Sequence, residues 1–425
     1  MRGSAAATVL ALALSLVACR PAHEPTAIQR DLLRVPRDAE SRHDFASART
    51  EYRRLAQAGI VDAQISLARM LQDGRGGPED REEAVAWYLA AANAGSPVAM
   101  REVGRAYRSG DGLSRDIPNA ARWFGRAAEK GDEPARFELA TLALSERSGS
   151  EEEAIAALEA SANSGYLPAQ IELAERYDKG DALPRDPGAA RRWYSIVAAT
   201  LEQEARNGDQ GARSRLADMY RDGKGVPQDG ERAARMYGEL VEAGRDMAIV
   251  DLARLYRDGA GNLKPDPVKS ARYFAEAADR GHAASAYDLG KIYYRGEGVP
   301  KDMRRAITRF EQALRLGDDR ALLYLGDIYS DKSELQDFDD AAAYYRRSGL
   351  AGNPKGYFRL AELHERGRLR SSDPALALAL YELSAEGGYD RGQERADRVR
   401  GRLSANEQAR ARALKGDLQR ASLGR

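Results

Sequence analysis

Residues 208–244, GDQGARSRLADMYRDGKGVPQDGERAARMYGELVEAG, contain one complete copy of the unit that decides the fold. Ala212 lies four positions before the pair Leu216-Ala217, a spacing that places them on one face of a helix. The turn DGKGVPQD follows, in which glycine supplies positive φ angles and proline blocks continuation of the helix. The bulky pair Met236-Tyr237 then marks a second helix. The segment therefore predicts two helices joined by a glycine-rich turn.

This unit recurs along most of the chain, and a glycine marks each recurrence. Successive glycines are separated by 34 to 43 residues, most often by 36. A period of this length is typical of two-helix solenoid repeats. The glycines are Gly59, Gly95, Gly131, Gly165, Gly208, Gly244, Gly281, Gly317, Gly352 and Gly388.

Each copy combines small and large residues in the same order. The first helix carries an aliphatic residue followed by a small one, as in Leu67-Ala68 and Val103-Gly104, and a tyrosine often follows three positions later. The second helix opens after an aspartate suited to capping it and carries a bulky pair, as in Trp87-Tyr88 and Trp123-Phe124. The large side chains of one helix can fill the space left by the small ones of the other. One unit cannot bury its apolar face alone, so stacking on its neighbours is expected.

The complete pattern, A-x-x-x-L-[AG]-x-x-Y, then G-x-G-V-P-x-D, then A-x-x-[WYF]-[YF]-x-x-A-A-x-x-G, resembles the Sel-like repeat, a relative of the tetratricopeptide repeat, over residues 41–395. The resemblance implies an all-α solenoid of about ten helix pairs, forming a right-handed superhelix with a long concave surface suited to protein binding. A capping helix and tail are expected at residues 396–425, with Ser404 as an N-cap.

Two repeats depart from the pattern. The third has a short turn after Leu144, and Ala157-Leu158 replaces the bulky pair. The 43-residue interval between Gly165 and Gly208 predicts a longer second helix around Arg191–Arg206.

The N-terminus is typical of a targeting segment. Arg2 precedes the apolar stretch Ala5–Ala18, which has 14 residues and is too short to span a bilayer comfortably. The stretch ends in LVAC, and this ending resembles the bacterial lipobox. That resemblance implies a lipoprotein signal peptide at residues 1–18 and acylation of Cys19, the only cysteine in the sequence. An ordinary signal peptide with an incidental cysteine and an uncleaved anchor are the alternatives.

The residues after Cys19 bear on the cellular location of the protein. Residues 19–40 contain three prolines and are expected to be a lipidated tether. Residue 20 is Arg and not Asp, which by resemblance to Gram-negative sorting favours the outer membrane, facing the periplasm. Lys and Arg together number 66, as do Asp and Glu, so the chain has no basic excess to attract nucleic acid.

No pattern for a catalytic, cofactor or metal site is found in the sequence, and we expect a protein that is not an enzyme. His23, His43, His282 and His364 do not have metal-ligand spacing, and there is no second cysteine. Gly296-Glu297-Gly298 lacks both a preceding strand and the Lys-Ser/Thr of a phosphate loop. A buried acid–base pair stays open as an alternative.

The remaining charged and aromatic residues have structural interpretations. Glu151-Glu152-Glu153 is expected in the first turn of a helix, where it favours the macrodipole. Arg304-Arg305 and Arg346-Arg347 are expected on the outer faces of second helices, with contact to an anionic polymer as the alternative. Most tyrosines and tryptophans are expected in the core, and some of them on a peptide-binding groove.

A narrower resemblance is to the scaffold lipoproteins of alginate biosynthesis, AlgK. It rests on the lipobox start and on residues 44–70, DFASARTEYRRLAQAGIVDAQISLARM, with Leu289–Gly296 and Leu403–Gln408. It implies a non-catalytic scaffold for exopolysaccharide synthesis and export. Its partners would be an outer-membrane β-barrel porin and periplasmic polysaccharide-modifying enzymes. The alternative is an envelope regulator that binds a cell-wall synthase or a signalling receptor.

Overall fold

The structure, a computed structural model, describes residues 31–147 and 150–423. Apart from an isolated bridge between Ala260 and Leu263, the regular structure of these residues is helical, which confirms the predicted all-α solenoid of helix pairs. Contacts divide the chain into two compact units. Of the described residues, unit 1 comprises those from 31 to 203 together with 224–226, and unit 2 comprises 204–223 and those from 227 to 423.

Unit 1 contains helices α1 to α9. Consecutive helices pack against one another through this series. Their bounds are α1 Arg34–Ser41, α2 Phe45–Gln57, α3 Val61–Gln72, α4 Arg81–Asn93, α5 Pro97–Ser109, α6 Ile117–Glu129, α7 Glu133–Ser145, α8 Glu151–Asn163 and α9 Leu167–Lys179. Helix α10, Pro187–Arg206, contains the boundary between the units.

Unit 2 contains helices α11 to α22. Helices α11 to α21 pack consecutively, whereas α22 packs on α20 and α18. Their bounds are α11 Gln210–Asp222, α12 Gly230–Glu242, α13 Asp246–Asp258, α14 Pro267–Asp279, α15 Ala283–Arg295, α16 Met303–Arg315, α17 Ala321–Ser330, α18 Phe338–Leu350, α19 Pro354–Glu365, α20 Pro374–Glu386, α21 Arg391–Arg400 and α22 Ala405–Leu423. The right-handed superhelix stays a prediction.

The glycine that marks each repeat ends the second helix of the pair before it. All ten of these glycines have φ between 79° and 101°. A Cβ would meet nothing within 4 Å at nine of them, and only the Lys130 ammonium at Gly95. The backbone conformation, and not lack of space, therefore requires glycine at this position.

The predicted packing of large residues against small ones is confirmed in the core. A Cβ added at Gly290 in α15 would lie 2.6 Å from the ring of Phe310 in α16. Gly326 has the same relation to Tyr345, at 2.5 Å. The rings of Phe310 and Tyr345 are almost fully buried. The missing side chain lets the two helices of a repeat approach closely.

Aspartate caps the second helices as predicted. The Asp229 carboxylate accepts the Arg232 backbone N–H at 2.9 Å at the start of α12. Equivalent bonds are made by Asp80, Asp116, Asp266 and Asp302. Ser404 caps α22 as expected: the Glu407 carboxylate accepts its backbone N–H at 2.8 Å, and the Ser404 hydroxyl accepts the Glu407 N–H.

The two irregular repeats also have the predicted structure. Glu151–Glu153 occupies the first turn of α8, and Ala157 and Leu158 are buried in the place of the bulky pair. Helix α10 has 20 residues, whereas most second helices have 13. The long interval is therefore accounted for by a longer helix.

The ends of the array differ in part from expectation. The predicted signal peptide, residues 1–18, and Cys19 lie outside the described residues. The last part of the predicted tether, residues 19–40, overlaps α1, in which Ala39 is buried, and Leu33 just before α1 is buried as well. The Tyr52 hydroxyl donates to the Glu40 carboxylate at 2.7 Å. Helix α1 packs against the side of α2 that has no preceding repeat. The packed array therefore begins before residue 41.

At the C-terminal end, α22 serves as the expected cap. It packs on α20, which carries eight buried residues, and Lys415 of α22 also pairs with Glu382 of α20. Ala411 and Leu418 of α22 are buried in this contact. The predicted boundary at residue 396 falls within α21, so the capping segment begins at Arg391.

A buried histidine links α19 to α20. The Asp373 backbone N–H donates to His364 Nδ1 at 3.2 Å, and His364 is 7% exposed. Burial lowers the pKa of His364 from its ordinary value of 6.5, although the Asp373 carboxylate opposes this shift. The folded state therefore favours the neutral imidazole.

Stability should fall as the pH drops below 6.5, because the unfolded chain then binds the His364 proton first. His364→Asn retains an acceptor without this titration, so its urea midpoint should differ less between neutral and mildly acidic buffer than that of the wild type. His282→Asn, at the start of α15, is the control and should keep the wild-type difference. An unchanged pH dependence in His364→Asn would contradict the assignment.

Gly290→Ala should destabilise unit 2 by roughly 1–3 kcal/mol, because the new methyl group overlaps the Phe310 ring. The matched control is Gly238→Ala in α12, where a Cβ meets nothing within 4 Å. That change should be neutral or stabilise the fold by up to about 1 kcal/mol through helix propensity. Urea unfolding followed by circular dichroism measures both, and equal midpoints for the two variants would refute the packing argument.

Candidate protein-interaction surfaces

Two grooves occupy equivalent places in the repeats of unit 1 and unit 2. Each lies between the end of one repeat and the first helix of the next, with a cavity of about 220 Å³ in unit 1 and about 230 Å³ in unit 2. The first groove includes Gln72, Arg81, Tyr88, Glu102, Arg105 and Asp111. The second groove includes Lys332, Phe338, Tyr345, Arg359, Glu362, Leu363, Arg366 and Arg368.

The grooves share a buried tyrosine in the second helix. The Tyr88 hydroxyl donates to the Gln72 side chain at 3.3 Å, and burial raises the pKa of Tyr88 to about 12. The Tyr345 hydroxyl donates to the Asp327 carboxylate at 2.7 Å. Burial also raises the pKa of Asp327 above its ordinary value, against the lowering effects of Tyr345 and Arg359. The tyrosines thus fix the floor of each groove.

The rims of the two grooves differ in charge. In the first groove, Arg81 donates to the Asp111 carboxylate at 2.6 Å. Seven repeats later, Phe338 holds the position of Arg81 and Arg368 that of Asp111. The Arg368 guanidinium lies over the Phe338 ring, 5.6 Å from its centroid. A cation–π contact therefore replaces an ion pair, and the charge of Arg368 is not neutralised.

Two further arginines of the second groove share one buried carboxylate. Glu362 accepts from Arg359 and from Arg366, each at 3.0 Å, and its side chain is 8% exposed. The Arg359 Nε atom also lies 3.6 Å from the Asp327 carboxylate. These bonds use only part of the ten N–H groups that two guanidinium groups carry.

First helices of neighbouring repeats are joined by partly buried ion pairs in unit 1. Arg101 of α5 donates to the carboxylate of Asp132, just before α7, at 2.6 Å. Arg105 donates to Glu138 of α7 at 2.8 Å, and Arg108 contacts the same carboxylate. Glu138 is buried, so its two arginine partners compensate the loss of water. These contacts join α5 to α7 across the boundary between two repeats.

A cluster of tyrosines lies on the first helices of unit 2. Tyr287 and Tyr294 of α15 each contact Tyr324 of α17, with ring centroids 5.8 and 5.4 Å apart. The Arg320 guanidinium lies 4.3 Å above the Tyr287 ring. The three tyrosines are half-buried. Partly exposed tyrosine beside arginine is the composition that dominates binding energy at protein interfaces.

The other candidate site residues named in the sequence analysis do not come together in one site. Cys19 and His23 lie outside the described residues, and His43, His282 and His364 occupy a loop, a helix start and the core. Arg304-Arg305 and Arg346-Arg347 are exposed on second helices, as predicted. Residues 31–147 and 150–423 hold no group of three or more His, Cys, Asp or Glu side chains placed to bind a metal ion.

The hydropathy of the helices in residues 31–147 and 150–423 bears on membrane insertion. None of these helices combines the length and the apolar content needed to cross a lipid bilayer.

The second groove was missed from the sequence, although a signal was present. Residues 331–336, DKSELQ, lack both glycines of the usual turn between first and second helix. Helix α17 ends at Ser330, one residue before the position equivalent to Arg295, the last residue of α15. Its C-cap, Asp331, has extended backbone where Gly296 ends α15 in the left-handed conformation.

Comparisons with solved structures find repeat proteins. The protective antigen c5321 of uropathogenic Escherichia coli, which displays an SLR fold, is 24% identical with a TM-score of 0.45, over 93% of this chain and 84% of that chain. A Sel1 repeat protein from Oxalobacter formigenes is 20% identical with a TM-score of 0.46, over 92% of this chain and 99% of that one. The search of curated protein sequences finds no match.

The Sel1 repeat model matches residues 61–96, 97–132, 167–199, 211–244, 246–282, 283–318, 319–353 and 354–389. The matches pass over residues 133–166, the repeat predicted to be degenerate. Sel1 repeat proteins typically mediate protein–protein interactions and are generally non-catalytic. Since the matched segments cover more than half of the sequence, the chain belongs to the Sel1 repeat family.

Proposed function

We propose that this protein is a non-catalytic scaffold lipoprotein that binds protein partners in the periplasm of a Gram-negative bacterium. The observation that carries the proposal is the series of eight matched Sel1 repeats, because stacked repeats present extended surfaces suited to proteins. The tyrosine cluster of unit 2 supports it, since Tyr287 and Tyr324 offer large, rigid contact area beside Arg320.

The proposed location rests on the N-terminal sequence. A short apolar stretch ends in LVAC, and an acyl group on Cys19 would hold the chain at the outer membrane. Membrane attachment by lipid gains about 0.8 kcal/mol for each buried methylene group, so stable anchoring needs more than one acyl chain. Acylation of both the thiol and the new amino group of Cys19 would meet that requirement.

The proposed process is assembly of an exopolysaccharide synthesis and export complex. Support comes from the resemblance of residues 44–70, Leu289–Gly296 and Leu403–Gln408 to the alginate scaffold lipoproteins. The partners would be an outer-membrane β-barrel porin and periplasmic polysaccharide-modifying enzymes. An envelope regulator that binds a cell-wall synthase or a signalling receptor is the competing function.

Cys19→Ser should convert the membrane-bound protein into a soluble periplasmic one, because acylation requires the thiol. Immunoblots of separated membrane and periplasmic fractions measure this. Arg20→Asp is the companion variant and should move the protein towards the inner membrane while leaving it lipidated. If Cys19→Ser still fractionates with the outer membrane after a high-salt wash, the anchor proposal is wrong.

Crosslinking in cells, followed by purification and mass spectrometry, should recover protein partners through the tyrosine cluster. Arg320→Glu places a carboxylate over the Tyr287 ring and should lower the yield of partner about tenfold, equivalent to about 1.4 kcal/mol. Arg315→Glu makes the same charge change at an exposed site in α16 and should keep the wild-type yield.

The identity of the crosslinked proteins separates the two functions. A porin with polysaccharide enzymes supports the export scaffold, whereas cell-wall synthases or signalling receptors support the regulator. Recovery of no protein above an untagged control would contradict a scaffold of either kind.

A further inference from the structure

The second groove carries positive charge that the protein does not neutralise. Its lining contains four cationic side chains, Lys332, Arg359, Arg366 and Arg368, against the carboxylates of Asp331 and Glu362. Within the described part of the chain, neither Lys332 nor Arg368 forms an ion pair. Asp327, behind Tyr345, adds one carboxylate and still leaves the cations in excess.

Neither the first groove nor the open cavity beside α22 has such an excess of unpaired positive charge. The first groove holds Arg81 and Arg105 against Glu102 and Asp111, joined in ion pairs. A more open cavity beside α22 contains Arg400 and Lys415, and both bind the Glu382 carboxylate. The second groove therefore differs from a solvated surface of balanced charge.

The groove is formed by a change in the backbone. Because no glycine turn follows α17, the backbone is extended at Asp331, and the loop 331–337 carries Lys332 to the rim. Phe338 and Leu363 form apolar wall, and Arg366 and Arg368 come from the turn after α19. Two successive turns thus bring their cations to one cavity.

We propose that the second groove binds the carboxylate side chain of a glutamate in an extended acidic peptide of a partner protein. This inference rests on the proposed protein-binding function and names the chemistry of the partner. Planar guanidinium groups bind a carboxylate through two parallel hydrogen bonds, and Arg366 and Arg368 have donors to spare.

The size and walls of the groove favour a glutamate side chain. A volume of about 230 Å³ is below that of typical small-molecule pockets and suits one inserted side chain. The methylene groups of glutamate would contact Phe338 and Leu363 while its carboxylate reaches the arginines. The carboxylate of a uronic acid is attached directly to its sugar ring and has no such stem, which argues against an anionic polysaccharide here.

The test uses the full chain and fluorescence anisotropy with a labelled decapeptide of alternating glutamate and alanine. The same peptide with glutamine in place of glutamate should bind at least about tenfold more weakly, since charge-assisted hydrogen bonds are lost. Lys332→Glu and Arg368→Glu should each weaken binding of the acidic peptide about tenfold. Both positions are exposed, so circular dichroism should show an unchanged helical content.

Arg346→Glu is the matched control, because it makes the same charge change on the exposed face of α18 outside the groove. It should alter affinity less than about twofold. An equal loss in Arg346→Glu, equal binding of the glutamine peptide, or full binding by Arg368→Glu would overturn the proposal. Displacement of the peptide by an equimolar galacturonate oligosaccharide would overturn it in favour of an anionic polymer.

Failure of the glutamate site can be distinguished from failure of the proposed scaffold function. If crosslinking still recovers partners while the acidic peptide does not bind, only the glutamate site is wrong. If crosslinking recovers no protein, the scaffold function fails whatever the peptide does.

Discussion

The fold depends on the close approach of a small residue in the first helix of a repeat to a large side chain in the second, which is an aromatic ring in most repeats and Leu158 in the degenerate one. At Gly290 the Phe310 ring occupies the space where a Cβ would stand, and Gly326 has the same relation to Tyr345. Dispersion contacts at this distance are many and individually weak, so their sum requires a constant separation of the helices. Repetition of the small and large pair favours a similar separation of the two helices in successive repeats, and similar repeats can stack on one another.

The packing of small against large side chains involves only the helix faces that point into the core. Tyr88 and Tyr345 have equivalent buried positions, whereas the rim residues above them changed from Arg81 and Asp111 to Phe338 and Arg368. Such changes replace one surface contact by another and leave the core unaltered. A repeat family can therefore vary its partner-binding chemistry from repeat to repeat at little cost in stability, since surface substitutions are usually within about 0.5 kcal/mol.

Features set by local sequence were predictable, and features set by distant contacts were not. The glycine ending each repeat, the aspartate caps and the Ser404 cap follow from the backbone and hydrogen-bonding needs of a few neighbouring residues. The burial of Leu33 in the expected tether depends on packing of α1 against α2, which no local pattern indicates. The second groove is formed by two turns from different repeats, so its lining could not be predicted from either turn alone. Only the missing glycines of residues 331–336 indicated that this repeat differs.

Net charge is a poor guide to the electrostatics of such an array. The sequence has 66 basic and 66 acidic residues, which excludes a general attraction for polyanions. Many of these charges form ion pairs such as Arg105 with Glu138, in which the opposite charges offset each other over a short distance. The field that remains comes from cations without an ion pair, and their effect is greatest where several of them lie close together beside apolar side chains. Lys332 and Arg368 are exposed at the rim of the second groove, beside the apolar side chains of Phe338 and Leu363. In the second groove two such cations are brought together where a turn departs from the repeat pattern, and we expect the selectivity of a neutral repeat protein to be set at places of this kind.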